Sequence, residues 1–240
     1  MLLKKILKKI LFFLGFRLIR NENLINFSIL KNKDCIIALY NSRGVLHIGA
    51  HLCQEADAYN LFQKKVIWIE ANPDIYNESK DKISFYRNQQ IYCALLGDGE
   101  IKDRTFFISN DYGASSSLFE FNQNYRDVSV LNPDLKMKKK ITLPMLRLET
   151  FVEKNNINIS EFNYWVLDVQ GSELLVLKGA ENLLRSCDYL LIEVHKVPIY
   201  SQGVLFQELK NWLKLRNFYP ANDTVRVYDD VLFIKKTKKL

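Results

Sequence analysis

The chain is poor in the residues that interrupt a fold. Nine glycines and five prolines are spread over 240 residues, and no stretch of Pro, Gly and Ser divides them. There is no internal repeat, so the length fits one α/β domain of ordinary size with added elements. Cysteine is scarce too. Cys35, Cys53, Cys93 and Cys187 form no C-x-x-C pair. This argues against a disulfide framework and predicts reduced, partly buried thiols in a reducing compartment. Long apolar runs are missing as well. Near the N-terminus the longest uncharged run is Ile10 to Phe16, far short of the ~20 residues of a membrane span. No small-residue cleavage site follows it, so a secretory signal is not expected.

Acids are absent from both ends. Residues 1–20 carry Lys4, Lys5, Lys8, Lys9, Arg17 and Arg20, and the tail carries Lys235, Lys236, Lys238 and Lys239. Without those ten, 24 basic side chains face 27 acidic ones, and the net +7 becomes −3. A nucleic-acid binder carries its basic stripe on the folded domain, so nucleic acid is not an expected partner. Leu2, Leu3, Ile6, Ile10 and Phe13 recur at near-helical spacing with lysines between them. Residues 1–22 therefore predict a basic amphipathic helix. It either lies on an anionic membrane surface through residues 1–20 or caps the core, and both use the same periodicity. The folded domain is expected over residues 23–240, in the cytoplasm with peripheral membrane contact in the first case.

Hydrophobic residues make up 48% of the chain, enough for a sizeable core. "GVLHIGA", "KVIWIEANP", "IYCALLGD", "RTFFISND", "FNYWVLDVQG" and "CDYLLIEVHK" read as strands. Helices are expected from Gln54 to Phe62, around Asp74 to Lys82, and over "SELLVLKGAENLL" and "LFQELKNWLKLRNF". "ITLPMLRLETFVEKNN" predicts a strand and then a helix. Residues 122–140, ending in "KMKKK", read as an exposed excursion, and "TVRVYDDVLFIKK" as a terminal hairpin. Strands alternating with helices imply an α/β fold with a mostly parallel, doubly wound sheet. A C-terminal antiparallel hairpin on such a sheet is, by analogy, the Rossmann-like methyltransferase arrangement.

In open α/β sheets ligands bind beyond the carboxyl ends of the strands. Those ends supply His47-Ile48-Gly49-Ala50-His51, Glu70, Cys93-Ala94-Leu95, Asp168-Val169-Gln170-Gly171 and Glu193-Val194-His195. Glu70 follows Gly49 by 21 residues, a spacing that suits an acid accepting from both hydroxyls of a ribose. The loop lacks the second and third glycines that bring a backbone up to a pyrophosphate. S-adenosylmethionine has a ribose and an adenine but no phosphate, so the missing glycines favour it over NAD. Its amino-acid end would sit over Gly49 and Ala50. A zinc site from His47, His51 and Cys53 is the rival reading, but no second ligand pair follows at finger spacing.

The ordered segments "VLHIGAHLCQE", "VIWIEANP", "CALLGD", "GASSSL", "LDVQGSELLVLKGAENLL" and "LIEVHKVPIY" resemble the FkbM-type family of S-adenosylmethionine-dependent methyltransferases. The resemblance covers roughly residues 44–200. It implies methyl transfer to an oxygen, often a hydroxyl of a sugar, a glycan or a small molecule. It also implies cofactor contacts from His47, Gly49, Ala50, His51, Glu70, Ala94, Leu95, Ser115, Ser116 and Asp168. Two positions depart from the family pattern: His47 stands where Asp is common, and Cys53 where a second Gly is common. A base must take the hydroxyl proton, and Asp168, His195 and Glu193 are the candidates. The same three could gather a divalent cation, which is not expected to be needed. Tyr112, Tyr125, Tyr200 and Trp68 are candidate sugar-stacking faces. The altered first loop leaves a second reading, a catalytically silent binding module that kept the fold.

Overall fold

The computed structural model describes residues 32–125 and 134–238. The expected N-terminal amphipathic helix, residues 126–133 of the 122–140 excursion and the last two residues lie outside them. In chain order the elements are α1 (Lys33–Asn41), β1 (Gly44–Ile48), α2 (Ala56–Leu61), β2 (Lys65–Glu70), α3 (Pro73–Ile83), β3 (Gln89–Cys93), β4 (Leu95–Gly97), β5 (Ile101–Ser109) and β6 (Met137–Arg147). Then come α4 (Leu148–Lys154), β7 (Tyr164–Leu167), α5 (Glu173–Lys178), β8 (Tyr189–His195), α6 (Phe206–Lys214), β9 (Phe218–Pro220) and β10 (Tyr228–Lys235).

The main sheet has seven strands in the order β3-β2-β1-β7-β8-β10-β9. The first five run parallel, and β10 is antiparallel to both its neighbours. This is the Rossmann-like, doubly wound sheet with its C-terminal hairpin. The central strands are apolar on both faces because helices cover both. Along β1, Leu46 and Ile48 join a cluster with Leu148 of α4, Leu177 of α5 and Leu209 of α6. Val45 packs on the other face with Leu39 of α1, Tyr59 of α2 and Ile83 of α3. The strand pleat thus sends alternate residues into two separate cores. Asn72 and Pro73 explain the start of α3: the Asn72 side chain caps the helix by accepting from Asp74 N (3.1 Å), and proline occupies its first turn.

Three expectations are corrected. "IYCALLGD" is not one strand. It leaves the main sheet after Cys93, and Leu95–Gly97 joins a separate three-stranded sheet, β4-β6-β5. "KMKKK" is no exposed loop from Met137 onward but the start of β6, paired with β5 from Ser109↔Met137 to Ile101↔Met145. Its lysines stay exposed by lying over the sheet, as where Lys140 Nζ sits 4.9 Å above the Phe107 ring and 2.7 Å from Glu120 Oε1. The hairpin also starts earlier than "TVRV": its first arm is Phe218–Pro220, and residues 221–227 form the connection. Among the described residues, no helix is long and apolar enough to cross a membrane.

Candidate functional site

The order of the sheet reverses at β1, which has β2 on one side and β7 on the other. A crevice opens there at the carboxyl ends. Gly49 and Ala50 both donate their amides to Ile69 O, at 2.9 and 3.1 Å. Gly49 has φ +87°, and a Cβ on it would fall 1.8 Å from Asp168 O. The one glycine of the loop is therefore required twice, by conformation and by the approach of β7. The chain then passes through His51 (φ 41°) and Cys53 (φ 49°), both left-handed. Cys53 thus occupies a conformation suited to glycine.

Glu70 ends β2 with its carboxyl fixed from two sides. Oε2 accepts from His51 N and Oε1 from Asn72 N, each at 2.7 Å. Burial raises its pKa, and the two backbone amides oppose that rise. Glu70 lines a cavity together with Gly49, His51, Ala94, Leu95, Ser116 and Asp168. The serine loop closes it. His51 Nε2 lies 3.1 Å from Tyr112 O and its Nδ1 lies 2.9 Å from the Gln54 amide nitrogen. Those partners assign the proton to Nε2, which donates to Tyr112 O. Ser116 Oγ accepts from Ser109 N at 3.2 Å.

A second cavity, of about 680 Å³, adjoins the first and shares Ala114, Asp168 and Gln170 with it. Its further walls include Ser115, Glu193, His195, Phe121, Tyr200 and Tyr228. Gln170 connects the polar side. Its amide nitrogen donates to Asp168 Oδ1 (2.6 Å) and Glu193 Oε2 (2.7 Å), and its Oε1 accepts from Tyr200 OH (2.5 Å). The Asp168 and Glu193 carboxyls also act on each other, a contact that lowers the pKa of Asp168 and raises that of Glu193. Burial raises both, and Glu193 goes well above the carboxylate range, with the charges of Asp168 and Glu173 adding to the effect. His195 Nε2 is 3.7 Å from Glu193 Oε2, and burial lowers its pKa to about 4, so it is neutral at pH 7. Phe121 stacks on Tyr200 with centroids 5.2 Å apart.

Of the residues expected at the cofactor, Gly49, His51, Glu70, Ala94, Leu95, Ser116 and Asp168 come together around the first cavity. His47 does not. The pleat of β1 turns it to the opposite face, where its ring stacks on Trp68 at 4.5 Å and its Nδ1 is 3.0 Å from Tyr59 OH. Burial lowers its pKa to about 3, so it is a neutral core histidine. Ala50 is also turned away, 1% exposed and packed in that core. Ser115 lines the second cavity and is tied to Asp111, to which its hydroxyl donates at 2.6 Å. The three catalytic candidates, Asp168, Glu193 and His195, do share the second cavity. Among the aromatic candidates Tyr200 lines it, whereas Trp68 is fully buried and Tyr112 is exposed. The side chain of Tyr125 lies outside the described residues. His47 and Cys53 are buried in the core, apart from the partly exposed His51 ring. Among the described residues no group of three or more His, Cys, Asp or Glu is arranged to hold a metal ion.

Sequence reasoning missed Gln170 and Glu173. Glu173 Oε1 accepts from Gly171 N (3.0 Å) and Val169 N (3.2 Å), which shapes the turn after β7. Gln170 (φ 55°) and Gly171 (φ 94°) are both left-handed there. The available signal was their place in "DVQGSE", two and five residues after Asp168. Phe121 and Tyr228 carried no local signal, because their loops meet the site only through the tertiary fold.

A doubly wound sheet of this order, with a buried acid ending β2 and a second cavity across Asp168, defines an α/β protein with a ligand crevice at the carboxyl ends of its strands. The family model "Methyltransferase FkbM domain" matches residues 46–220. The chain belongs to the FkbM family of S-adenosylmethionine-dependent methyltransferases. Among solved structures it is similar to Methyltransferase FkbM from Methylobacillus flagellatus KT, with 14% identity and a TM-score of 0.48. That match covers 80% of this chain but only 43% of the other. A SAM-dependent methyltransferase from Aquifex aeolicus matches with 13% identity and a TM-score of 0.43, covering 89% and 96% of the two chains. Magnesium protoporphyrin IX methyltransferase (ChlM) from Synechocystis PCC 6803, solved with bound SAM, matches at 10% identity and 0.41, over 84% and 77%. No curated protein matches the chain.

Proposed function

We propose that this protein transfers a methyl group from S-adenosylmethionine to a hydroxyl of a sugar, a glycan or a related small molecule. The observation that carries the proposal is Asp168, a half-buried carboxyl bordering both cavities. The first cavity suits the cofactor. Glu70 is set to accept from ribose hydroxyls, and Gly49 leaves a cradle that a Cβ would fill. Bound there, the cofactor supplies an electrophilic methyl group.

The chain's own work is then positioning and proton handling. Gln170 orients the two carboxyls with one amide group. Asp168 accepts the hydroxyl proton, with Glu193 held beside it by the same Gln170 amide and neutral His195 next to Glu193. Raised carboxyl pKa values bring the base nearer to neutral pH, where proton transfer is most effective. Phe121, Tyr200 and Tyr228 offer aromatic faces opposite the carboxyls, a combination that suits a neutral polyol with apolar C–H faces.

The test is calorimetric titration with S-adenosylmethionine, followed by assay of S-adenosylhomocysteine formation with a panel of sugars, glycans and small alcohols. Binding with turnover on a neutral hydroxyl acceptor supports the proposal. Absence of cofactor binding sinks it. Binding with turnover only on amines or carboxylates would replace the acceptor class.

A further inference from the structure

The cofactor loop is held from outside. Between β1 and α2 it turns through two left-handed residues that carry a Cβ, His51 and Cys53. Such conformations persist only where the surroundings over-determine them. Here three successive carbonyls of the turn are taken by α3. Ser79 Oγ donates to His51 O at 3.0 Å, and Lys82 Nζ donates to Leu52 O at 2.9 Å and Cys53 O at 2.7 Å. Cys53 itself is fully buried, so its side chain has no room to relax the backbone outward. The same turn presents His51 N to Glu70.

We infer that Lys82 is a positioning residue for the cofactor: its ammonium holds the turn at Leu52 and Cys53 that a glycine at position 53 would adopt unaided. The inference rests on the reading that the first cavity takes S-adenosylmethionine. The physical basis is twofold. Charge-assisted hydrogen bonds are stronger than neutral ones, and two of them converge on the strained segment. Glycine reaches positive φ without the steric cost that Cys53 bears. If Lys82 lets go, Cys53 tends toward negative φ, and the amide of His51 moves off Glu70.

The experiment compares the full chain with Lys82→Met, Cys53→Gly and the double variant. S-adenosylmethionine is titrated into each, acceptor KM is measured at saturating cofactor, and hydrogen exchange is followed over residues 50–56. Lys82→Met is expected to raise cofactor Kd about tenfold, or about 1.4 kcal/mol, with acceptor KM unchanged. Adding Cys53→Gly should restore Kd to within about twofold. Unchanged binding in Lys82→Met overturns the inference. So does a loss that Cys53→Gly does not restore, because Lys82 would then only pin α3 to the sheet. If the wild-type chain binds no cofactor, the functional reading fails by itself. Hydrogen exchange still decides the claim about the loop: faster exchange in Lys82→Met must be reversed by Cys53→Gly. Lys82→Gln, which keeps one donor group, replaces Lys82→Met if that variant does not fold.

Discussion

The two cavities meet at Asp168 but are made of different material. The first is walled by loops that directly follow β1, β2 and β3, and its key contacts are backbone ones: Gly49 against Asp168 O, and His51 N and Asn72 N on Glu70. The second is walled by side chains from five separate places, including Phe121, Gln170, Glu193, Tyr200 and Tyr228. The difference suits a division of labour. On the proposed function, a rigid backbone frame would meet the cofactor, whose shape is constant, and side chains on loops, which tolerate change, would meet the acceptor.

Substitutions that strike one cavity and spare the other sharpen this comparison. The largest effect is expected from Gly49→Ala, where the two frames touch. A Cβ at that position meets Asp168 O and must accept φ +87°. The expected cost is on the order of 3 kcal/mol of stability, with cofactor binding lost, as denaturant unfolding and calorimetry would show. Wild-type stability in that variant would mean that β1 and β7 are not so close. Next comes Asp168→Asn, expected to cut turnover by about 10²–10⁴-fold while cofactor Kd moves far less. The wild-type rate should fall on the acid side with an apparent pKa above the ordinary carboxylate range, because burial raises the Asp168–Glu193 pair. A rate profile flat down to pH 4 contradicts that assignment.

Glu70→Ala confines damage to the first cavity. Its loss should weaken cofactor binding by about 10–100-fold, equivalent to about 1.5–3 kcal/mol of charge-assisted hydrogen bonding. Acceptor KM at saturating cofactor should stay as in the wild type, and a parallel rise would break the proposed separation. The smallest effect concerns stability rather than catalysis. Glu173 is buried with its pKa raised from 4.5 to about 8. The folded state therefore binds a proton that the unfolded state has released over that window. Its contribution is fully present below pH 4.5 and is lost as pH rises through 8. Glu173→Gln keeps an acceptor for Gly171 N and Val169 N and removes the titration. Its melting temperature should fall less than that of the wild type between pH 5 and 9, and parallel curves would show that Glu173 does not titrate there.

The alternation of strands and helices, the acid 21 residues beyond Gly49 and the strand-end residues were legible because each depends on neighbours in sequence. The main sheet follows from that alternation. The errors have physical causes. "IYCALLGD" looked like one strand with its turn because periodicity carries no sign of a change of sheet at Ala94. "KMKKK" looked like a loop because lysine density hides an alternation that only pairing with β5 reveals. His47 was expected at the cofactor because the family resemblance implies a contact there, yet the pleat gives it the face opposite to Leu46 and Ile48. Which face was His47's depended on where α2 placed Tyr59 and β2 placed Trp68.

By itself, then, the sequence determined the α/β class, the position of the crevice and the glycine-and-acid frame around it, since local hydrophobic period, turn chemistry and spacing specify these. Only the tertiary structure decided that Asp168 would border two cavities with Glu193 on the second. It also decided that Gln170 would bind both carboxyls and that α3 would hold a loop without its second glycine. Apart from Gln170 with Asp168, those relations join residues 23 to 30 positions apart, such as Gln170 with Glu193 and Lys82 with Leu52. Their distances are set by how helices pack on the sheet, and no local pattern records that packing.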